Sequence, residues 1–233
     1  MKLHTKFSHY TIAEIIGAGI TGVFWIVLAN LIDPSQYGEI QYVIGIASIG
    51  SIVATFGAGN SIIVFVSKGK SNGTIFIIIS LFSGILAFTI SSWVLNRLDV
   101  GFLIFSFILF QLGIAFLQGY QKYKKYLVYL ISQKAAFVLL GLLFIFSDNV
   151  DLIIFGFGIS YLGFLAIVVT QIKLKDINLT LIKKNLDFVI SNYITSLFSM
   201  FKDNIDKIII VPILGYTHLG NYALALQAIL MLN

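Results

Sequence analysis

The stretch VGFLIFSFILFQLGIAFLQGYQ, residues 100–121, has no charged side chain and is long enough to cross a lipid bilayer as one helix. A spanning helix needs about 20 apolar residues to cross about 30 Å of hydrocarbon. Comparable stretches with at most one charge recur at residues 11–32, 40–67, 73–96, 126–147 and 152–172. They lack the apolar and polar alternation of membrane barrel strands. We therefore predict an all-α integral membrane protein that begins with a six-helix bundle.

The composition supports a membrane protein. Hydrophobic residues make up 58% of the chain and charged residues 11%, whereas soluble domains carry about 25% charged residues. The chain has no cysteine, which excludes disulfides, thiolate metal sites and cysteine nucleophiles. No cleavable signal peptide is evident before the first apolar stretch, so we expect helix 1 to remain as an anchor.

The basic loop residues predict the orientation of the chain. Arg97 alone lies on the side opposite the N-terminus. The other basic loop residues fall on the side of the N-terminus, and they are Lys2, Lys6, Lys68, Lys70, Lys122, Lys124, Lys125, Lys173, Lys175, Lys183 and Lys184. By the positive-inside rule, the N-terminus of this multi-pass protein is cytoplasmic and the membrane is the cytoplasmic (plasma) membrane. No soluble segment is long enough for a nucleic-acid partner, so the net charge of +5 is a topology signal.

A charged cluster in FSMFKDNIDKIIIVP, residues 198–212, allows two placements of helix 7. Either residues 173–207 are cytoplasmic and helix 7 starts at Ile208, or the helix runs over residues 187–212 and carries its charges into the membrane. At 100° per residue, one face of that helix collects the polar side chains Asn192, Thr195, Ser196, Ser199, Lys202, Asp203, Asp206 and Lys207. The other face is apolar, with Asn204 as the main exception.

Internal repetition favours the second placement. Aligning Gly38 with Gly220 pairs the link after helix 1 with the link after the charged cluster. Six helices lie between them, so the repeat is parallel, as in some transporters. Helix 7 then repeats helix 1 and lines a polar cavity. We expect the pairs Lys202–Asp206 and Asp203–Lys207, spaced i, i+4, to lower the cost of the buried charges.

The predicted organisation has three parts. Residues 1–172 form the N-terminal six-helix transmembrane bundle, residues 173–187 a cytoplasmic basic linker, and residues 188–233 the start of a second bundle with helix 7 and a partial helix 8. Lys134 in helix 5 and Glu14 in helix 1 are further charges within spans, and we include both among the candidate cavity residues. Snorkelling to the cytoplasmic end is the competing interpretation for these two.

Three segments carry a resemblance to a known family. LANLIDPSQYGEIQY (residues 28–42), FGAGNSII (56–63) and NIDKIIIVPILGYTHLGNYALA (204–225) occur in the order and spacing of that family's patterns. The chain resembles the polysaccharide transporter and lipid-linked oligosaccharide flippase branch of the superfamily that also contains the multidrug and toxic compound extrusion exporters.

The resemblance implies two six-helix bundles that form a V around a central, often cationic cavity. It places Asp206 on the family's helix 7 aspartate and Lys207 on the basic residue beside it. Such a flippase turns a lipid-linked saccharide, its substrate, through the membrane while the tail stays among the membrane lipids. Family members carry twelve or more helices, so we expect this chain to be a fragment of a transporter or to pair with a second half-length chain.

Two other function classes stay open. One is a cation-coupled multidrug exporter that uses Asp203 and Asp206 as proton or sodium sites, although the adjacent lysines would repel cationic substrates. The other is a non-transporting membrane remnant. An enzyme is not expected, because Asp148 and Asp151 have no second acidic motif or base beside them. No cofactor is expected, and coupling to H⁺ or Na⁺ is left open.

Overall fold

The described part of the chain is helical throughout. The computed structural model describes residues 2–69, 73–146, 149–173 and 183–232, without the side chains of 2–8 and 230–232. Most of the predicted linker, at residues 174–182, lies outside the described residues. The helices are α1 (Lys2–Leu31), α2 (Pro34–Thr55), α3 (Ala58–Ser67), α4 (Thr74–Leu95), α5 (Leu98–Gly119), α6 (Tyr123–Ile145), α7 (Val150–Tyr161), α8 (Gly163–Thr170), α9 (Leu186–Leu214) and α10 (Tyr216–Leu232).

Six spans within the described residues are long and apolar enough to cross a membrane. They are His9–Leu31, Pro34–Thr55, Thr74–Leu95, Leu98–Gly119, Tyr123–Ile145 and Val150–Thr170, the last comprising α7 and α8. This confirms the all-α, multi-pass prediction. We call the end of the bundle near His9 the N-terminal face and the end near Pro34 the opposite face.

The apolar stretch 40–67 forms two helices, whereas the sequence predicts one continuous helix there. Phe56 (φ 49°) and Gly57 (φ 68°) are both left-handed, so α2 ends and α3 begins at a bend. A Cβ on Gly57 would lie 2.7 Å from the Cα of Tyr193, so α9 packs directly against this bend. The glycine therefore serves both the turn and the close approach of α9.

The helix α5 is the centre of the bundle. Its side chains Leu103, Ile108 and Leu112 are fully buried, and the helix packs against α2, α3, α4, α7 and α8. Aromatic rings connect α1, α6 and α7 beside it, with Phe137 stacked on Phe157 at a centroid separation of 4.1 Å. This packing fixes the walls around the polar residues described below.

The helix α9 is continuous from Leu186 to Leu214, so Ile208 lies well inside a helix rather than at its start. It runs antiparallel to α2 and α3. Phe65 of α3 contacts Phe188 near the N-terminal face, Gly57 in the bend contacts Tyr193, and Gly45 of α2 contacts Lys207 towards the opposite face. The stretch of α9 from Tyr193 to Lys207 therefore lies alongside residues 45–57.

The helix α10 crosses α2 at the opposite face. A Cβ on Gly38 would overlap the carbonyl oxygen of Tyr216, and a Cβ on Gly220 would overlap the carbonyl oxygen of Pro34. Pro34 starts α2 at its first helical position, and the side chain of Gln36 accepts a hydrogen bond from the Asp33 amide at 3.3 Å. The two glycines allow the two backbones to touch.

Candidate functional site

Two neighbouring cavities lie inside the helical bundle. The α2–α5 cavity has a volume of about 390 Å³ and lies between α2, α3, α5, α7 and α9. The α1–α6 cavity has a volume of about 560 Å³ and lies between α1, α5, α6 and α10. Phe110, Ile114 and Gln118 of α5 line both cavities, so the cavities are separated by one face of this helix.

The α2–α5 cavity is polar but uncharged. Its polar lining comes from five helices and comprises Ser48, Ser51, Thr55, Asn60, Gln111, Gln118, Tyr161 and Ser196. Among the described residues that line it, none carries a formal charge. A cavity of this kind suits a ligand with several hydroxyl or amide groups and no ionic group.

A hydrogen-bond network fixes the amide of Gln111 in this cavity. Its Nε2 donates to Ser51 Oγ at 2.7 Å, and Thr55 Oγ1 donates to its Oε1 at 3.3 Å. Across the cavity, Nδ2 of Asn60 donates to Oγ of Ser196 at 3.4 Å. The bend after α2 places Asn60 at this wall, because α3 starts in a new direction after Gly57.

The α1–α6 cavity is charged. Glu14 of α1 and Lys134 of α6 both line it, and the hydroxyl of Tyr126 donates a hydrogen bond to Glu14 Oε1. A Cβ on Gly17 would lie 3.7 Å from Cγ of Lys134, so the lysine stem packs along α1. The cavity therefore combines a carboxylate with a cation, and the cation is available to an anionic ligand group.

Both cavities lie towards the N-terminal face. Glu14 is five residues beyond His9, the start of its span, which is about 8 Å along the helix axis. Gln111 and Gln118 lie in the second half of α5, which ends at the N-terminal face with Gly119. The opposite end of the bundle is occupied by the crossing of Gly38 and Gly220.

The sequence-predicted site residues divide into three groups. Glu14, Lys134 and Ser196 line the cavities. Asn192, Asp206 and Lys207 are partly buried on α9, and Nδ2 of Asn192 is buried without a partner in the described part of the chain. The remaining four are exposed, and they are Thr195, Ser199, Lys202 and Asp203. Their predicted role in translocation stays a prediction.

The expected ion pairs on α9 are not formed. Within the described ranges, every ion pair at 4.0 Å or less involves Arg97, so neither Lys202–Asp206 nor Asp203–Lys207 is one. Asp206 instead accepts a hydrogen bond from the hydroxyl of Tyr222 on α10, at 2.5 Å. Because this partner lies on the next helix, the aspartate connects α9 to α10, while its other oxygen, Oδ1, accepts a hydrogen bond from the Lys207 backbone amide at 2.9 Å.

The packed stripe of α9 is also displaced from the predicted polar face. Tyr193, Ser196, Met200, Asn204 and Lys207 follow one another at intervals of three or four residues and contact α2, α3 or the cavity beside them. Asn204, expected as an exception on the apolar face, is 6% exposed and donates to the Met200 carbonyl at 3.1 Å. Small residues on the second span decide which side of α9 packs.

The sequence reasoning missed an ionic cluster at the opposite face. Arg97 binds Glu39 of α2, Asp99 of α5 at 2.7 Å and Asp151 of α7. Burial lowers the pKa of Arg97, but hydrogen bonds to Asp99 and Glu39 and the nearby negative charges more than offset this, so its net pKa is raised. The guanidinium therefore stays protonated and holds the ends of three spans together.

Comparison with known proteins gives one positive result. The model of a family described as "Polysaccharide biosynthesis protein" matches residues 3–233. No curated protein and no solved structure matches the chain at a significant level.

Proposed function

Because this chain belongs to the polysaccharide biosynthesis protein family, we propose that it acts as a flippase, a non-enzymatic membrane transporter. Its substrate is a lipid-linked oligosaccharide or another cell-envelope polysaccharide precursor, and the membrane is the cytoplasmic membrane. The observation that carries the proposal is the pair of adjacent cavities within the spans, one neutral and polar, the other holding Lys134 and Glu14. Charged side chains within membrane spans are costly, so their presence there favours a function inside the membrane, such as a substrate pathway.

The charges inside the α1–α6 cavity fit the head group of such a lipid. Lys134 presents a cation to the phosphate groups that link the saccharide to its lipid tail. Glu14 is bound by Tyr126, which directs the carboxylate towards α6. In this account the head group enters the cavities while the apolar tail remains in the surrounding lipid.

The two ends of the bundle fit a transporter that exposes its cavity to one face at a time. The cavities lie towards the N-terminal face, and the α2–α10 crossing at Gly38 and Gly220 closes the opposite face. Transport to the opposite face then requires α10 to separate from α2. The pairing of Asp206 with Tyr222 keeps α9 and α10 together, so these helices move as a unit.

The exposed charges of α9 need a further partner at membrane depth. Lys202 lies between Tyr193, which contacts Gly57, and Lys207, which contacts Gly45 at the middle of the second span, so its backbone is level with the half of α2 nearer the N-terminal face. A charge that faces lipid at the bilayer centre costs about 2.5–3.5 kcal/mol, and a charge at the level of Lys202 pays part of that cost. We therefore place Lys202 and Asp203 against a water-filled space beside a second bundle, supplied by a further part of the protein or by a second chain.

The multidrug exporter alternative finds less support. A cation-coupled exporter of this kind would use Asp203 and Asp206, yet neither lines the two cavities. Asp206 is engaged by Tyr222, and the cation Lys134 faces the α1–α6 cavity.

Complementation tests the proposed function. The full-length protein is expressed in a bacterial strain that lacks its own envelope-precursor flippase, and surface polysaccharide is measured. The wild type restores the polysaccharide, Lys134→Met does not, and Lys68→Met, which removes an exposed lysine at the N-terminal face, behaves as the wild type. Failure of the wild type to restore any polysaccharide in strains of several envelope types contradicts the proposal.

A further inference from the structure

We propose that the α2–α5 cavity is a binding subsite for the uncharged sugar rings of the substrate. The inference rests on the proposed function and deepens it, because it divides the substrate between two cavities. The charged α1–α6 cavity takes the phosphate groups, and the neutral α2–α5 cavity takes the saccharide.

The absence of charge in the described lining sets the ligand class. Moving an ionised group into an apolar bundle without a counter-charge is strongly unfavourable. The α2–α5 cavity offers an ionic ligand hydroxyl and amide groups only. A neutral saccharide loses fewer strong interactions with water and regains hydrogen bonds from the lining.

The hydrogen-bonding capacity of the lining matches sugar hydroxyl groups. The Gln111 amide uses one N–H on Ser51 and one lone pair on Thr55, which leaves a second N–H and further acceptor capacity. The Asn60 amide donates to Ser196 and keeps its oxygen for another partner. A sugar hydroxyl can donate one hydrogen bond and accept another. Sugar hydroxyls can therefore pair with the remaining N–H of Gln111 and with the carbonyl oxygen of Asn60.

The orientation of the Gln111 amide is fixed before a ligand binds. Oγ of Ser51 in turn donates to the Ser48 carbonyl at 2.8 Å, so the chain of bonds ends on the α2 backbone. Ser51 is fully buried and Thr55 is 2% exposed. Preorganised polar groups cost little further entropy on binding, which favours affinity for a ligand of the right pattern.

The cavity also offers an apolar wall. Tyr161 packs edge-on against Phe107, with ring centroids 5.1 Å apart, and against Phe110 at 5.2 Å. All three rings line the cavity. A pyranose ring has an apolar C–H face, and burying this face against the aromatic rings is favourable. A small polyol or a chain of water molecules has no such face.

The geometry allows both parts of one substrate to bind together. Phe110, Ile114 and Gln118 belong to both linings, so a head group bound near Lys134 lies one helix face away from Gln111. The saccharide of a lipid-linked precursor is joined directly to its phosphates. The inferred substrate is therefore a lipid-linked saccharide whose sugars nearest the phosphate group carry no charge.

Binding to the full-length protein in lipid nanodiscs tests the subsite. The probes are a polyprenyl diphosphate, the same lipid with a neutral N-acetylhexosamine oligosaccharide, and the same lipid with an oligosaccharide of uronic acids. The wild type should bind the neutral glycolipid more tightly than the other two probes. One neutral hydrogen bond is worth about 1 kcal/mol, which is about fivefold in Kd. Gln111→Leu should therefore weaken binding of the neutral glycolipid about fivefold and leave the sugar-free lipid unchanged.

Matched variants complete the design. Asn60→Leu should also weaken binding of the neutral glycolipid and leave binding of the sugar-free lipid unchanged. This variant replaces Gln111→Leu in the test if Gln111→Leu does not fold. Gln41→Leu is the control, since Gln41 is a largely buried glutamine of α2 that lines neither cavity. Equal affinity of the wild type for all three probes, or equal loss for all of them in Gln111→Leu and Asn60→Leu, overturns the subsite while the proposed function stands. Binding of none of the probes overturns both.

Discussion

Gly38 of α2 and Gly220 of α10 face each other in a reciprocal contact. An added Cβ on either residue would strike a carbonyl oxygen of the other helix, that of Tyr216 or that of Pro34, and each carbonyl lies four residues before its own glycine. Reciprocity of this kind is what a two-fold axis between two equivalent helices produces. The same two glycines are paired by the repeat seen in the sequence, so the contact supports a parallel repeat of the fold.

The crossing should tolerate no side chain at either glycine. Gly38→Ala and Gly220→Ala should each lower the free energy of unfolding by about 1–3 kcal/mol, since overpacking forces the backbones apart. Gly19→Ala is the matched control, because a Cβ at Gly19 meets nothing within 4 Å. Unfolding can be followed by tryptophan fluorescence, with Trp25 buried in the aromatic cluster.

The double variant sharpens this test. Once one alanine has separated the helices, the second should cost much less than it does alone, because neighbouring sites are not additive. A Gly38→Ala protein as stable as Gly19→Ala, or full additivity in the double variant, would show that the helices do not touch at this point.

The Arg97 cluster makes a graded prediction about stability. The side chain of Asp99 is 2% exposed and that of Asp151 is 54% exposed, although both bind the same guanidinium. Removing the partner of a buried ion costs about 3–5 kcal/mol, whereas an exposed pair is worth about 0–1 kcal/mol. Arg97→Met should therefore destabilise strongly and Asp151→Asn only slightly. Equal effects from Arg97→Met and Asp151→Asn in thermal unfolding would contradict the assignment.

Cysteine labelling checks the packed stripe of α9. The natural chain has no cysteine, so each single-cysteine variant reports one position. A cysteine at Asn204, which is 6% exposed, should react slowly with a membrane-permeant maleimide, whereas cysteines at Lys202 and Asp203, beside the proposed water-filled space, should react faster. Equally fast reaction at all three positions would contradict the packing of Asn204 against the bundle.

The bond between Tyr126 and Glu14 predicts a functional difference between two tyrosines in the first turn of α6. Tyr126→Phe removes the donor to the Glu14 carboxylate and leaves a cavity-lining charge without its partner. A hydrogen bond to a charged group is worth about 1.5–3 kcal/mol. The affinity for the phosphate head group should therefore fall by about tenfold or more in Tyr126→Phe. Tyr123→Phe, three residues earlier and outside the cavity, should match the wild type in the same nanodisc binding measurement.

Much of the fold could be predicted from the sequence, because bilayer thickness and apolar run length fix the spans almost alone. The break at Phe56 and Gly57 could not, since a left-handed bend without proline leaves no mark on hydropathy. The helical wheel located the polar residues of α9 but not the side that packs. The packed side depends on Gly45 of α2 and on Gly57 in the bend after α2. A helical wheel of α9 holds no information about the residues of another helix.

Only part of the candidate site could be predicted from the sequence. Glu14 and Lys134 were identified because charges within spans are rare, but the neutral cavity was missed. A signal was present: Ser48, Ser51 and Thr55 lie on one face of α2, and Gln111 and Gln118 are one heptad apart on α5. Uncharged polar residues are common enough in spans that spacing alone does not say which helices they face together.

Lipid translocation in proteoliposomes tests the central claim most directly. The full-length protein is reconstituted with a fluorescent polyprenyl-diphosphate oligosaccharide, and a membrane-impermeant reductant quenches only the outer-leaflet fluorophore. We predict that the wild type and Lys68→Met expose the inner-leaflet lipid to quenching, while Lys134→Met leaves it protected. Quenching by the wild type that stops at the outer leaflet, as in protein-free liposomes, would contradict the account.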